Sequence, residues 1–98
     1  MQNNVYTIAV LPAKAAAADA LLAELRTLAD ATRQEAGCIE YGFYREAADS
    51  NTVLSFERWV DQDAEDAHWQ TPHLKHALGA MQTLLETEPQ VFKCKKTI

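Results

Sequence analysis

The hydrophobic positions of this chain repeat with two different periods, and the changes of period divide it into strands and helices. An alternation of two residues predicts strands over residues 38–46 and 52–60. A β-rich run that is apolar on both faces predicts a central strand over residues 5–11, and a last strand is predicted over residues 91–97. A spacing of three and four residues predicts helices over residues 14–36, 61–70 and 71–86. The short second helix lies directly before the last one, so the main elements follow the order β-α-β-β-α-β.

The ends of the helices are indicated by residues that start or stop helices. Asp61 and Thr71 have side chains that cap helix N-termini, and Pro72 suits the first helical position. Gly37 is typical of the residue that follows a helix. The apolar stripe of the first helix consists of Ala18, Leu21, Leu22, Leu25, Leu28, Ala29 and Thr32. The stripe of the last helix consists of Leu74, Ala77, Leu78, Met81, Leu84 and Leu85. Such stripes predict helices that pack by one face.

This order of elements predicts a ferredoxin-like α+β fold with an antiparallel sheet. Right-handed crossovers place the first strand beside the third and leave the second and fourth at the edges. Cys38 and Cys94 then lie on opposite edges, so no intrachain disulfide is expected. The helices cover one face of the sheet. A chain of 98 residues is too short to cover the other apolar face, so we expect it to meet a second copy in a two-fold dimer.

The chain is acidic, and its charge limits the partners that it can bind. A net charge of −5 argues against nonspecific binding to nucleic acid or to anionic membranes. The one basic cluster consists of Lys93, Lys95 and Lys96, and it suits the protection of an edge strand. The length predicts one domain over residues 1–98. The sequence shows neither the pattern of a secretory leader nor an apolar run that spans a bilayer, so we predict a cytoplasmic protein with free thiols.

His68 is the strongest candidate for chemistry, because it is a titratable residue on the apolar face of the short helix. Histidine exchanges protons near neutral pH, which suits a general base. The alternative is a core histidine bonded to a backbone carbonyl or to Glu57. Glu57 lies in mid-strand among apolar neighbours and therefore needs a polar partner. It would orient His68, bind a substrate hydroxyl, or pair with an arginine.

Four aromatic residues are candidates for enclosing a planar substrate near His68. Trp59 would stack on the substrate or fill the core. Trp69 has the pattern of a half-exposed residue, which fits a pocket rim or a contact between subunits. Tyr6 and Tyr44 would direct hydroxyl groups into the pocket, and for both the alternative role is packing.

Two further histidines follow His68 closely and raise the question of a zinc site. His73 borders the apolar stripe of the last helix, where it would line the pocket or satisfy the turn after Thr71. His76 lies opposite that stripe and is expected in solvent. A metal site needs convergent ligands. Because His68 and His73 belong to different helices and His76 points away, the spacing does not predict a metal site.

Three groups of residues, in this order, resemble the antibiotic biosynthesis monooxygenase domain. They are Gly37-Cys38, Phe56-Glu57-Arg58-Trp59 and His68-x-x-Thr71-Pro72-His73. The spacing between the last two groups is most similar to the small quinol monooxygenases of this family. The resemblance implies a dimeric α+β barrel that oxidises quinols or phenols with O₂ and uses neither metal nor flavin. A deprotonated quinol can pass an electron to O₂ directly, so the protein needs to supply a base, orientation and a dry pocket.

Other branches of the family degrade haem or isomerise a phosphorylated sugar. Haem degradation is disfavoured, because Ala77 or Leu78 occupies the position of the axial histidine in those relatives. In addition, Tyr6 replaces their asparagine. The isomerase branch shares the His-x-x-Thr-Pro-His pattern, and there His68 and His73 would form an acid–base pair.

Three hypotheses for the function follow. In the first, a monooxygenase, His68 takes the substrate proton, Glu57 orients it, and the aromatic residues enclose the substrate ring. In the second, an isomerase, the phosphate would need a cationic partner such as Arg58. The third is a dimer that binds a small hydrophobic ligand without a reaction. An apolar, aromatic pocket favours the first, a basic and wet pocket the second, and a buried His68 without an adjoining cavity the third.

Overall fold

The computed structural model of the chain describes residues 3–98. Its elements are β1 (Val5–Pro12), α1 (Ala18–Thr32), β2 (Cys38–Arg45), β3 (Thr52–Trp59), α2 (Gln62–His68), α3 (Pro72–Leu84) and β4 (Gln90–Cys94). The predicted order of elements is confirmed. The predictions about a leader and about the start of the domain include residues 1 and 2, which lie outside the described residues.

The four strands form one antiparallel sheet with the order β2-β3-β1-β4. This is the predicted ferredoxin-like topology, with β1 beside β3 and the other two strands at the edges. In the register of the central pair, Thr7 lies opposite Glu57, and Tyr6 lies opposite Arg58. Because successive side chains point to opposite faces, this register separates the two pairs onto opposite sides of the sheet. Cys38 and Cys94 are free thiols on the two edge strands, as predicted.

The core lies between one face of the sheet and the helices α1 and α3. The apolar stripe of α1 is buried as predicted except for Leu22, which is partly buried, and Leu21 and Leu25 are almost completely inaccessible. Leu74, Ala77 and Met81 provide the buried stripe of α3. The opposite face of the sheet is not covered by a helix and includes the exposed side chains of Ile8, Tyr44 and Phe92. We refer to this second side as the outer face and to the helix-covered side as the inner face.

Helix α1 begins later than the alanine-rich sequence predicts. Residues 14–17 form a turn, although alanine has the highest intrinsic helix propensity. The backbone at the start of this segment forms hydrogen bonds with other parts of the chain. Ala13 N–H donates to the carbonyl of Asn51, and Lys14 N–H donates to the carbonyl of Leu84. Ala16 takes a left-handed conformation with φ of 65°. Tertiary hydrogen bonds therefore override the local preference for helix.

The first helix also ends earlier than predicted, at Thr32, and a turn over residues 33–37 connects it to β2. Arg33 fixes this turn, because its Nε and Nη2 donate to the carbonyl of Tyr41 at 3.0 and 2.8 Å. Gly37 follows the helix as predicted, but it does not take the left-handed conformation that is common for glycine at that position. A Cβ at this position would collide with the Cβ of Ala64 on α2, so the absence of a side chain allows the turn and α2 to pack closely.

Both predicted helix starts near the candidate site are confirmed. The Asp61 side chain accepts a hydrogen bond from Ala64 N–H at 2.9 Å, and Thr71 accepts one from Leu74 N–H at 3.3 Å. Pro72 is the first residue of α3. The pairing of β2 with β3 is irregular between Cys38 and Glu40. Within residues 3–98, none of the helices has the length and apolar character needed to cross a membrane.

Candidate active site

The centre of the site is a hydrogen bond between His68 and Glu35. His68 is the last residue of α2, and only 2% of it is exposed. Its Nδ1 lies 2.7 Å from Oε2 of Glu35, which the turn after α1 places over the end of α2. An ionised carboxylate only accepts hydrogen bonds. We therefore assign the proton of neutral His68 to Nδ1, which leaves a lone pair on Nε2.

The other ring nitrogen of His68 faces Tyr41. The Tyr41 hydroxyl lies 3.4 Å from Nε2 and can donate to its lone pair. Burial lowers the pKa of His68, although the hydrogen bond to Glu35 opposes this effect. Burial, supported by the charge of Glu57, raises the pKa of Tyr41, so the phenol stays protonated at neutral pH. The arrangement presents a neutral imidazole whose Nε2 can accept a proton.

His73 joins the same cluster from the first turn of α3. Its Nε2 lies 2.8 Å from Oε2 of Glu35, the oxygen that also bonds His68. The prediction that these two histidines cannot converge was wrong, because the turn between α2 and α3 directs both toward one carboxylate. Glu35, His68 and His73 form a group that could hold a metal ion. His76 is mostly exposed, as predicted, and lies 3.5 Å from Glu24.

Glu57 lies on the inner face of β3 and does not orient His68 as predicted. Its Oε1 accepts from Trp59 Nε1 and its Oε2 from the Ser55 hydroxyl, both at 3.1 Å. Ser55 is held in turn by the backbone N–H of Ala9 at 3.0 Å. Burial raises the pKa of Glu57 to about 7, against the hydrogen bonds from Trp59 and Ser55, which lower it. Glu57 is therefore a buried carboxyl group that is partly protonated at neutral pH, and Glu35 takes the role of orienting His68.

A cavity of about 40 Å³ adjoins His68 and Glu57. Its walls come from the sheet, from α1 and α3, and from the segment that precedes β4. The lining residues are mostly apolar: Ala9, Leu11, Leu28, Tyr41, Phe43, Ser55, Glu57, His68, Trp69, Leu74, Leu78, Met81, Pro89 and Val91. The two titratable groups thus face a small apolar space with aromatic residues beside it.

A second buried carboxylate, Glu65, fixes the position of Trp69 at this cavity. Trp69 Nε1 donates to Oε2 of Glu65 at 2.7 Å, and the Thr7 hydroxyl donates to the same oxygen at 3.3 Å. Lys93 Nζ lies 3.3 Å from Oε1 of Glu65 and 5.2 Å from the centre of the Trp69 ring. This network ties α2 to β1 and β4. It holds a half-buried tryptophan at the cavity, which is the rim position predicted for Trp69.

The remaining predicted residues lie outside the cavity. Trp59 is completely buried, with its ring centre 4.8 Å from that of His68, so it fills the core behind the histidine. Tyr6 lies on the outer face, 6.2 Å from Phe56 between ring centres. Tyr44 is exposed on the edge strand β2. The predicted enclosure of a ring beside His68 by Trp59, Tyr6 and Tyr44 is therefore wrong, because the strand register assigns the tyrosines to the other face.

Sequence reasoning missed three residues that build the site, namely Glu35, Tyr41 and Glu65. Tyr41 could have been found from strand pairing, since it lies opposite Glu57 in the β2–β3 register. Glu65 could have been found from its helical spacing of four residues to Trp69. No local pattern marks Glu35, because its role depends on how a turn packs against a helix that is distant in sequence.

Comparison with known proteins agrees with this fold and decides the family. The sequence model of the family described as antibiotic biosynthesis monooxygenase matches residues 4–80. The chain belongs to this family. An uncharacterized protein of Synechocystis is 34% identical over 74 residues, a match that covers 74% of this chain. The chain spans about half of that relative, since the match covers 50% of its length.

Solved structures from two bacteria show the same architecture over nearly the whole chain. A protein of Mycobacterium tuberculosis is 28% identical with a TM-score of 0.92, and the match covers 98% of this chain and 97% of the other. A protein of Pseudomonas aeruginosa is 28% identical with a TM-score of 0.91, and the match covers 100% and 98% of the two chains. This member of the antibiotic biosynthesis monooxygenase family therefore shares its complete fold with these proteins.

Proposed function

We propose that the protein is a cofactor-independent monooxygenase that oxidises a quinol or another polyphenol with O₂, as a homodimer. The observation that carries the proposal is the buried His68, which lines an apolar cavity and whose Nε2 lies 3.4 Å from the hydroxyl of a protonated tyrosine. A neutral imidazole in this setting can remove the proton of a phenolic hydroxyl. The family's name, antibiotic biosynthesis monooxygenase, supports the same class of reaction.

In the proposed reaction, His68 Nε2 takes a proton from the substrate hydroxyl. The imidazolium that forms is stabilised by Glu35, whose carboxylate accepts from Nδ1 at 2.7 Å. The resulting phenolate can transfer an electron to O₂, because the negative charge raises the energy of its electrons. For a quinol, one oxygen atom then enters the ring and the other leaves as water. The four electrons that reduce O₂ come from the substrate, which becomes a hydroxyquinone, so no external reductant is needed.

Glu57 provides the second polar group of the proposed site. Its two oxygens already accept hydrogen bonds from Trp59 and Ser55. With a pKa of about 7, the carboxyl group carries a proton in a large fraction of molecules at neutral pH. In that form it can donate a hydrogen bond to a substrate oxygen. The polar groups of the proposed site thus comprise one base, His68, and one hydrogen-bond donor, Glu57, in a mostly apolar wall.

The size of the cavity sets a condition on the substrate. An apolar cavity of about 150 Å³ holds one benzene ring in a well-studied protein. The space of about 40 Å³ beside His68 accommodates O₂ or water but not an aromatic ring. Substrate binding therefore requires the wall to open. Met81 and Leu78 of α3 line the cavity, and methionine in particular adapts its shape readily.

Two observations disfavour the alternative functions. The position of Arg58 argues against the isomerase, and the cavity beside His68 argues against a ligand-binding protein without activity. Arg58 lies on the outer face, where its guanidinium carbon is 5.8 Å from the centre of the Tyr6 ring. It is therefore on the opposite side of the sheet from His68 and cannot hold a phosphate there, which disfavours the isomerase. A ligand-binding protein without activity was expected to have no cavity beside the buried His68, and a cavity is found there.

The experiment that tests the proposal is oxygen consumption by protein that has been stripped of metals and flavin. A panel of hydroquinones and catechols is compared for the unaltered chain, for His68→Ala and for His76→Ala, whose altered residue is exposed. We expect uptake above the autoxidation rate that is lost in His68→Ala and kept in His76→Ala. Absence of uptake with every substrate, or equal rates in all three proteins, would refute the proposal.

A further inference from the structure

The three side chains around Oε2 of Glu35 have the composition of a metal site. The Nδ1 atom of His68 and the Nε2 atom of His73 lie 2.7 and 2.8 Å from this oxygen. All three atoms lie within 4.8 Å of one another. Two imidazoles and one carboxylate, with room for water in the remaining positions, are a common ligand set for zinc and other divalent transition metals.

We propose that Glu35, His68 and His73 form a binding site for a divalent transition-metal ion such as Zn²⁺. The site shares His68 and Glu35 with the chemistry proposed above but uses the other ring nitrogen, because the ion binds Nδ1 of His68 while the proposed base is Nε2. The donor set of nitrogen and oxygen favours zinc, nickel and copper over calcium or magnesium. Neither histidine needs to change its backbone to act as a ligand.

The distances require only small movements of side chains. In a tetrahedral site with bonds of about 2.0–2.1 Å, the ligand atoms lie about 3.3 Å apart. The two contacts to Oε2 therefore need to lengthen by about half an ångström. Glu35 and His73 can make this adjustment, because 16% and 25% of their side chains are exposed. The same exposure provides a path for the ion from solvent.

The surroundings of His68 support its role as the fixed ligand of the site. Its ring is packed against Trp59, which keeps Nδ1 directed at Glu35. The Tyr41 hydroxyl lies 3.4 Å from Nε2, and its oxygen can accept a hydrogen bond from Nε2–H when Nδ1 binds the ion. Metal-bound histidines commonly donate their second N–H to such a partner. A rigid buried ligand with an outer partner and two adjustable ligands near the surface make a coherent site.

Metal binding has a consequence for the proposed reaction, and this consequence rests on the proposed function. An ion on Nδ1 displaces the proton that Nδ1 donates to Glu35. Neutral His68 must then carry its proton on Nε2, so the lone pair that would accept the substrate proton is lost. We therefore expect Zn²⁺ to inhibit quinol oxidation whenever it occupies this site.

The proposal is tested by titrating Zn²⁺ into chelator-treated protein after removal of the chelator, with calorimetry and thermal melting as readouts. The variants are His73→Ala, Glu35→Gln and, as a matched control on the same helix, His76→Ala. We expect one ion per chain and an increase in melting temperature. The affinity should fall at least about tenfold in His73→Ala and in Glu35→Gln and stay unchanged in His76→Ala.

Several results would overturn the metal site. They are the absence of stoichiometric binding, equal affinity in the unaltered chain and both ligand variants, or binding that depends on His76. Substitution with Co²⁺ adds an independent readout, because nitrogen ligation changes its visible spectrum. These measurements do not use enzyme activity, so a failed oxygen assay leaves their outcome interpretable. Conversely, an active enzyme that binds no Zn²⁺ would refute only the metal site.

Discussion

Nδ1 of His68 and Oε2 of Glu35 are 2.7 Å apart although the two residues are separated by 33 positions in the chain. The contact joins the turn after α1 to the end of α2, and it determines which nitrogen of the buried imidazole is free. Gly37 makes this contact possible, because its lack of a side chain lets the turn approach Ala64 on α2. A glycine that fits a helix–turn contact thus supports the geometry of the proposed base.

The first prediction concerns the charge of Glu35. Its carboxylate raises the pKa of His68 through a hydrogen bond and through its charge, against the effect of burial. In Glu35→Gln the pKa of His68 should fall further. Because the base must be deprotonated, the acid limb of the kcat/KM profile should move to lower pH. The maximum rate should fall about 10- to 100-fold, since the imidazolium loses its partner.

This prediction is checked with pH–rate profiles of quinol oxidation. Glu24→Gln is the control, because Glu24 pairs with the exposed His76 and lies outside the cluster. An acid limb at the same pH in Glu35→Gln and in the unaltered chain would show that Glu35 does not tune His68.

The second prediction concerns stability and the buried carboxyl group of Glu57. Its pKa rises from 4.5 to about 7 in the folded state, so the folded chain binds more protons than the unfolded chain between these values. The contribution of Glu57 to the free energy of unfolding is fully present below pH 4.5 and is lost as the pH rises through about 7. The loss amounts to about 3 kcal/mol at most. Glu57→Gln should remove this decline and be the more stable protein at pH 8.

The measurement is chemical denaturation at several pH values between 4.5 and 8 for both proteins. Glu88→Gln, at an exposed position before β4, serves as the control and should keep the pH dependence of the unaltered chain. If Glu57→Gln and the unaltered chain lose stability in parallel over this range, the carboxyl group does not have a raised pKa.

The third prediction compares two glycines with opposite surroundings. A Cβ at Gly37 meets the Cβ of Ala64, which cannot rotate away, whereas a Cβ at Gly79 meets no atom within 4 Å. Gly37→Ala should therefore destabilise the protein by about 1–3 kcal/mol through overpacking. Gly79→Ala lies inside α3 and should stabilise it by about 0.5–1 kcal/mol. Denaturant unfolding of both variants checks the pair, and a stable Gly37→Ala protein would contradict the close approach.

The order of elements and the sheet topology could be predicted from the sequence, because both depend on local periodicity and on general rules of connection. The helix starts at Asp61 and Thr71 were predicted for the same reason, since capping is a local interaction. The limits of α1 were wrong at both ends. At its start the backbone of Ala13 and Lys14 is bonded to the turn between β2 and β3 and to the end of α3, and no property of the alanine run reveals those bonds.

The candidate site was predicted only in part. His68 and Trp69 were found because helical spacing places them on a buried or half-buried face. Tyr6 was assigned to the same pocket, and the pairing of β1 with β3 places it on the other face. The convergence of His68 and His73 was missed, because it depends on the packing of a turn that carries Glu35. Contacts between residues that are distant in the sequence can therefore be identified only from the three-dimensional structure.

The last prediction is that the outer face of the sheet forms the contact of a dimer. Ile8 and Phe92 are register partners on this face, and 36% and 50% of them are exposed. An apolar surface of this kind is typical of a contact with another protein surface. In a two-fold dimer, the outer face of one copy packs against the same outer face of the second copy. A charge at Phe92 should therefore separate the copies, because it would be buried without a partner.

The measurement is the mass in solution by light scattering at micromolar concentration, for the unaltered chain, Phe92→Glu and Val91→Glu. Val91 is the neighbour of Phe92 on β4 but lies on the inner face, so it is a matched control of similar exposure. We expect a dimer for the unaltered chain and for Val91→Glu, and a monomer for Phe92→Glu. A monomer in all three samples would leave the outer face without the proposed role, and a dimer in all three would place the contact elsewhere on the molecule.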